Sequence, residues 1–205
     1  MSDTATIEPI GKREKTKAAN RHAILIAARR VFAQLGYEAA TVRDIIRGTD
    51  LASGTFYNYF RSKEEVFEAL ADDGARRFRP ILRSAHENAK SFEDYLHSAF
   101  LAYFQFVVAD NSMEGRPIDE RRPHVLRMDT PEMMSVYQEV RQSLEEAIAR
   151  GDAPRVDADY LACACIGAAQ EVGAAMLRRS PPDIEGATAF ATGLILKGLG
   201  GAAKG

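Results

Sequence analysis

Along most of this chain apolar residues return every three or four positions, the period at which side chains stack on one face of an α-helix. Ile24, Ala27, Ala28, Val31, Phe32 and Leu35 form one such stripe; Gly36 follows as a left-handed cap residue, with Tyr37 placed to pack on that cap. Val42, Ile45 and Ile46 make a shorter stripe, and the capping-box pair Thr41 and Asp44 predicts a helix start there. Gly48-Thr49-Asp50 interrupts it with residues that tolerate a left-handed backbone, and Leu51 is the expected buried peg of the turn. A second short helix is predicted over Ser53 to Phe60, with Phe56 and Phe60 inward and Ser53, Thr55, Tyr57, Asn58 and Tyr59 outward.

The rest of the chain keeps the helical period. Ser62 and Glu65 form another capping box, so a fourth helix begins at Lys63 and runs toward Arg83, with Pro80 as a kink or break. Ser91 starts a helix that is apolar on nearly all sides through Leu96, Phe100, Phe104 and Val108. Asp110 to Asp129 reads as a loop with one short helix around Ile118 to Met128. Thr130-Pro131-Glu132 then opens a helix whose inner face carries Met133, Tyr137, Val140, Leu144, Ala147 and Ile148, and Gly151 closes it. Two final helices, Asp157 to Arg179 and Glu185 to Leu199, are dense in alanine and glycine. No strand pattern competes, so the expected fold is all-α with about nine helices: a tail at 1–11, a head at 12–80 and a helical body at 81–205.

Composition adds little until charge is mapped along the chain. With 205 residues, 46% of them hydrophobic, there is enough apolar material for a real core. Two cysteines, Cys163 and Cys165, exclude a disulfide framework and fit a reducing cytoplasm. The N-terminus lacks a signal-peptide pattern, and the run Ala99 to Ala109 is too short to span a bilayer, so a cytoplasmic protein is expected. The formal charge is −2, yet residues 11–63 hold eleven Lys/Arg against four Asp/Glu, a net +7 on the head. A basic head on an acidic body is the footprint of polyanion binding, although a solvated face would carry the same charges. Residues 12–21 are basic and are expected to enter the first helix partway; a flexible cationic arm there can lie along phosphates or reach into the minor groove, though solvation alone would also explain it.

Catalytic and metal chemistry finds no footing. His22, His86, His97 and His124 lack metal-ligand spacing, Cys163 and Cys165 fall about 200° apart on a helix, and Gly198-Leu-Gly-Gly201 opens no helix. The expectation is a chain without catalytic set, metal or cofactor. Two short helices hinged by a tight turn, with hydroxyls, an amide and tyrosines outward, suit instead the major groove of DNA.

The run Ser53-Gly-Thr-Phe-Tyr-Asn-Tyr-Phe-Arg-Ser-Lys-Glu64, preceded by Thr41-Val-Arg-Asp-Ile45, resembles the DNA-binding domain of the tetracycline-repressor (TetR) family over roughly residues 20 to 80. Asp50 stands where that family generally has glycine, and Ala52 where it has a serine or threonine cap. The resemblance implies a dimeric, ligand-responsive transcriptional regulator, typically a repressor, joined through its last two helices and reading a pseudo-palindromic operator. Arg43 is the expected base reader, Ser53, Gly54, Thr55, Asn58 and Tyr59 lie along the groove, and Thr41, Tyr57 and Lys63 hold phosphates. Lys63 sits in a first helical turn, where the dipole disfavours a cation, so a nearby phosphate would account for it. The fourth helix would then link effector and operator.

Phe100, Tyr103, Phe104, Val107, Met133, Met134 and Tyr137 are candidate lining for a pocket that takes a small hydrophobic or aromatic effector, and solid core is the other reading of the same residues. The small-residue helices favour a twofold contact between copies over packing within one chain. A protein-interaction module with a basic head and a helical-bundle enzyme stay open as rivals.

Overall fold

The computed structural model describes residues 11–112 and 130–202, in which every regular element is an α-helix. The eight are α1 (Lys12–Leu35), α2 (Val42–Arg47), α3 (Ser53–Tyr57), α4 (Lys63–Asn88), α5 (Phe92–Ser112), α6 (Pro131–Arg150), α7 (Ala158–Leu177) and α8 (Ile184–Ala202). The ninth helix expected around Ile118 to Met128, and most of the expected N-terminal tail, lie outside the described residues. The chain divides into two compact units, 1–69 and 70–205; this division and the expected one at 80 both fall within α4.

Unit 1 is built on the stripe of α1. Ile24, Leu25, Ala27, Ala28 and Val31 are buried with Ile45 of α2, Phe56 of α3, Phe60 and Val66. Beside them Phe32, Tyr37 and Phe67 form an aromatic triangle with ring centroids 5.0 to 6.0 Å apart. The stripe outruns its cover at Leu35, which is 44% exposed. The cationic segment, expected to enter the first helix partway, is helical from Lys12, and residues 13–19 are exposed along it.

Local rules explain most helix ends. Gly36 ends α1 with φ +74° and ψ 158°, a positive φ outside the left-handed helical region, and its N–H bonds Phe32 O at 3.0 Å. Thr130 accepts from Met133 N and Pro131 opens α6, while Gly151 closes it in the left-handed conformation at φ +80°, ψ 11°. Asp157 accepts from both Asp159 N and Tyr160 N to start α7. Pro80 does not break α4, which continues to Asn88; the ring is exposed, and the helix gives up one ladder bond at that point.

In unit 2, α5 packs on α7 and α8, and α6 packs on α7. Phe92, Tyr95, Leu96, Phe100 and Phe104 of α5 are buried with Leu144 and Ala147 of α6, Leu161 and Met176 of α7, and Ala191 and Ile195 of α8. Gly173 permits this approach: a Cβ there would stand 3.2 Å from Tyr103 Cε1 and 3.4 Å from Phe104 Cε1. α7 is long and apolar enough to cross a membrane, with mean hydropathy 1.4, a candidate that the run at 99–109 did not reveal.

Candidate nucleic-acid interface

The start of α2 is fixed by reciprocal capping. Asp44 N donates to Thr41 Oγ1 at 3.3 Å, and Thr41 N donates to Asp44 Oδ2 at 3.0 Å. The Thr41 hydroxyl also donates to Asp44 Oδ2 at 2.6 Å, so its hydrogen is already committed within the helix start. Those bonds hold the Asp44 carboxyl below its usual range, with a smaller pull from Arg47 and Arg43. Arg43 is exposed and makes no ion pair among the described residues, whereas Arg47 lies 3.9 Å from Asp44.

The turn forms differently from the sequence expectation. Gly48 has φ −80°, and no residue other than glycine has a positive φ among those described, so neither Gly48 nor Asp50 is left-handed. Glycine is needed at 48 for space, because a Cβ would meet Ala27 Cβ at 3.2 Å and Ile45 O at 3.3 Å. Thr49 locks the turn by donating its hydroxyl to Ile46 O at 2.8 Å and accepting from Leu51 N at 3.2 Å. Leu51 is half-buried rather than a fully buried peg.

The second helix is shorter than the expected Ser53 to Phe60. α3 ends at Tyr57, but Tyr59 N and Phe60 N still bond Phe56 O at 2.9 and 3.1 Å, which keeps Phe60 stacked under the helix. Ala52 caps α3 without a side-chain bond, as its identity requires. Phe56 and Phe60 are 1% and 4% exposed, so the inward assignment holds. Ser53, Gly54, Tyr57 and Asn58 are exposed, and Tyr57 is open over 58% of its surface. Thr55 and Tyr59 are half-buried, and Tyr59 Oη accepts from Asn20 Nδ2 at 3.4 Å. A Cβ on Gly54 would meet nothing within 4 Å, so packing inside this chain does not demand glycine there.

Two contacts escape sequence reasoning because their partners are remote. The Arg21 guanidinium lies 5.4 Å over the Phe60 ring, behind the end of the exposed face. Lys63, expected on a phosphate, donates to the carbonyls of Tyr37, Glu38 and Ala40 at 2.9, 3.2 and 3.2 Å. Tyr37 in turn donates to Glu64 Oε1 at 3.2 Å, and burial with the Glu64 charge pushes its phenol up to about 12. Glu65 accepts from Arg61 N at 2.8 Å rather than from Ser62 N, so the capping box of α4 is one residue longer than expected.

The candidate effector residues do not line the cleft that unit 2 presents. Phe100 and Phe104 stack on each other with centroids 6.1 Å apart and fill the core, while Met133 is buried and Met134 faces out. Tyr137 donates to Asp159 Oδ1 at 2.7 Å, and Tyr103 packs on Phe78 and Phe104. Val107 is half-buried against the core. A cleft of about 380 Å³ lies instead among His86, Lys90, Phe92, Tyr95, Ser143 and Arg150. His86 and Tyr95 meet edge to face at its side.

Residues 24–70 match the family model described as bacterial regulatory proteins, tetR family. The transcriptional repressor Rv1474c of Mycobacterium tuberculosis is 39% identical over 64 residues, 31% of this chain and 34% of that protein. The match thus spans about a third of that relative. Over the whole fold, the fatty acid degradation regulator FadR of Bacillus halodurans aligns with TM-score 0.72 at 24% identity, covering 94% of this chain and 98% of its own. FadR of Bacillus subtilis, solved in complex with stearoyl-CoA, aligns with TM-score 0.71 at 20% identity over 86% of this chain and 98% of its own. The capped α2, the Thr49-locked turn and the exposed start of α3 all fall inside the matched segment, so residues 24–70 are similar to the DNA-binding domain of the tetR family of bacterial regulatory proteins.

Proposed function

We propose that this chain is a cytoplasmic, ligand-responsive repressor of transcription that binds a pseudo-palindromic DNA operator as a homodimer. One observation carries the reading: Ser53, Gly54, Tyr57 and Asn58 stand open on α3, in a segment with a net charge of +7. Hydroxyl, amide and phenol groups of this kind bond base edges and phosphates, and the charge draws the duplex in. Arg43 joins them as the base reader, with Thr55 and Tyr59 at the margin. Tyr57 takes a phosphate, and Thr41, whose hydroxyl hydrogen and backbone N–H both go to Asp44 Oδ2, contacts one only by turning a donor away from that carboxylate.

A second copy of the chain covers the last two helices in this reading. Only 28% of the apolar window of α7 is buried, which a twofold contact between copies explains without a membrane. The effector is mainly apolar and binds within unit 2, with Phe100, Tyr103, Phe104, Val107, Met133, Met134 and Tyr137 opening to receive it. It acts only through its difference in affinity between the DNA-binding state and the released one. The stearoyl-CoA held by the Bacillus subtilis protein makes long-chain acyl-CoA a rational first probe.

Selection of bound duplexes from random DNA tests the reading. Enrichment of an inverted repeat with half-sites roughly 34 Å apart is expected. Recovery of no preferred sequence would sink it.

A further inference from the structure

Lys63 stands in the first turn of α4, where the helix dipole opposes a cation, and the structure shows what holds it there. Its Nζ faces three carbonyl oxygens, those of Tyr37, Glu38 and Ala40, all within 3.2 Å. An ammonium carries three hydrogens, so these bonds use every donor it has. The ring of Tyr37 closes the remaining side, 4.6 Å from Nζ to its centroid. Tyr37 is itself tethered through its phenol to Glu64, the residue after Lys63.

The three carbonyls belong to the loop between α1 and α2. The next residue after that loop is Thr41, the N-cap of α2, and two residues further on is Arg43. Any shift of residues 37–40 therefore moves the start of α2 and the guanidinium it carries. Ala40 is buried, and its N–H is held by Gly36 O at 3.1 Å, so the loop is pinned from both sides when Lys63 is present.

We propose that Lys63 is a positioning residue of the DNA-reading head: an ammonium clip that fixes the α1 to α2 loop and so aims Arg43, with no phosphate contact of its own. The proposal rests on the DNA-binding reading given above. It separates Lys63 from a phosphate anchor by chemistry. A guanidinium is planar and cannot offer three donors to three converging carbonyls, so arginine keeps the charge yet does not replace the clip.

The test uses the full chain, with affinity measured for a selected duplex and a scrambled one across a salt series. For Lys63→Met the preference for the selected duplex falls by about tenfold or more, the scale of one base pair's discrimination. Affinity for the scrambled duplex and the slope of log K against log salt stay at the wild-type values. Lys63→Arg behaves like Lys63→Met. Equal loss on both duplexes, with the slope reduced by about 0.9 per head, identifies a phosphate contact and overturns the clip. So does an Lys63→Arg variant that keeps the wild-type preference, and that variant decides alone if Lys63→Met does not fold. A wild-type chain with no preference overturns the DNA reading and the clip together; wild-type preference unaffected by either substitution overturns the clip only.

Discussion

Arg79 Nε donates to Glu139 Oε2 at 2.7 Å, joining α4 to α6 inside unit 2. Arg83 Nε donates to the other oxygen, Oε1, at the same distance, so one carboxylate serves two turns of α4. Arg76 with Glu132 and His86 with Glu146, each at 3.2 Å, continue the series on either side. The acids recur every seven residues and the bases alternate by three and four, the spacing of two helices running parallel side by side. Glu139 is the most sheltered member, and although burial raises its carboxyl, the hydrogen bonds from Arg83 and Arg79 outweigh that and lower it.

Glu139→Gln should therefore loosen α4 from α6 and lower stability by about 1 kcal/mol, the upper range for pairs that water still reaches. The sign with pH follows from the lowered folded value. The contribution of Glu139 is complete above the unfolded carboxylate's pKa, roughly 4.3, and is lost as pH falls through the lower folded one. Thermal melts of wild type and Glu139→Gln should differ at pH 7 and converge in acid. A constant gap at every pH would show that the pair contributes nothing through its charge.

Gly48 and Gly54 offer a matched comparison six residues apart. A Cβ at 48 would press on Ala27, whose side chain is 1% exposed and has little room to yield. Gly48→Ala should cost about 1 to 3 kcal/mol, as overpacking of a core does, and lower the melting temperature of unit 1. A Cβ at 54 meets only open space, so Gly54→Ala should leave the melt unchanged or slightly raised. Its effect should appear only on DNA, as weaker binding to the selected duplex. Reversed melts would mean that α1 and α2 are not packed as described.

Those two glycines also mark where the sequence was readable and where it was not. The Thr41 and Asp44 capping box, Thr130-Pro131, Gly151 and the inward pair Phe56 and Phe60 were legible because each depends on residues within one or two turns. Gly48 misled because its constraint is Ala27, 21 positions away, and local propensity alone suggested a left-handed turn. The carbonyl partners of Lys63 were hidden for the same reason, since they lie 23 to 26 positions back. The aromatic run of α5 announced burial correctly, yet nothing in its period distinguishes Phe100 and Phe104 stacked on each other from the same rings around a ligand.

Arg43 and the pair Arg13 and Lys17 should separate base reading from phosphate holding. Arg13, Lys17 and Arg21 recur at four-residue spacing on one face of α1, and Arg21 reaches Phe60 behind the exposed end of α3. Arg43→Ala should relax preference at one position per half-site, at about 1 to 3 kcal/mol. Joint replacement of Arg13 and Lys17 by glutamine should weaken binding to every duplex alike and lower the salt slope by about 0.9 for each phosphate released. Salt titrations on selected and scrambled duplexes read both. An unchanged slope would return the α1 stripe to a solvated face.

The outer side of α8 sets the final expectation. Phe190 and Leu194, one turn apart, are 61% and 52% exposed, and a Cβ on Gly193 or Gly198 would meet nothing within 4 Å. Large apolar groups beside open glycines let another helix backbone approach closely, and a twofold contact would place each residue against the same surface of its copy. Replacing both Phe190 and Leu194 by glutamate puts four charges into such a contact, with a cost of about 2 kcal/mol or more per subunit on the scale of buried aromatic anchors. Sedimentation should show the variant monomeric where the wild type is dimeric, with binding to an isolated half-site retained and binding to the inverted repeat reduced. A variant that stays dimeric would place the interface away from α8, because no twofold contact centred on this face tolerates that charge without loss.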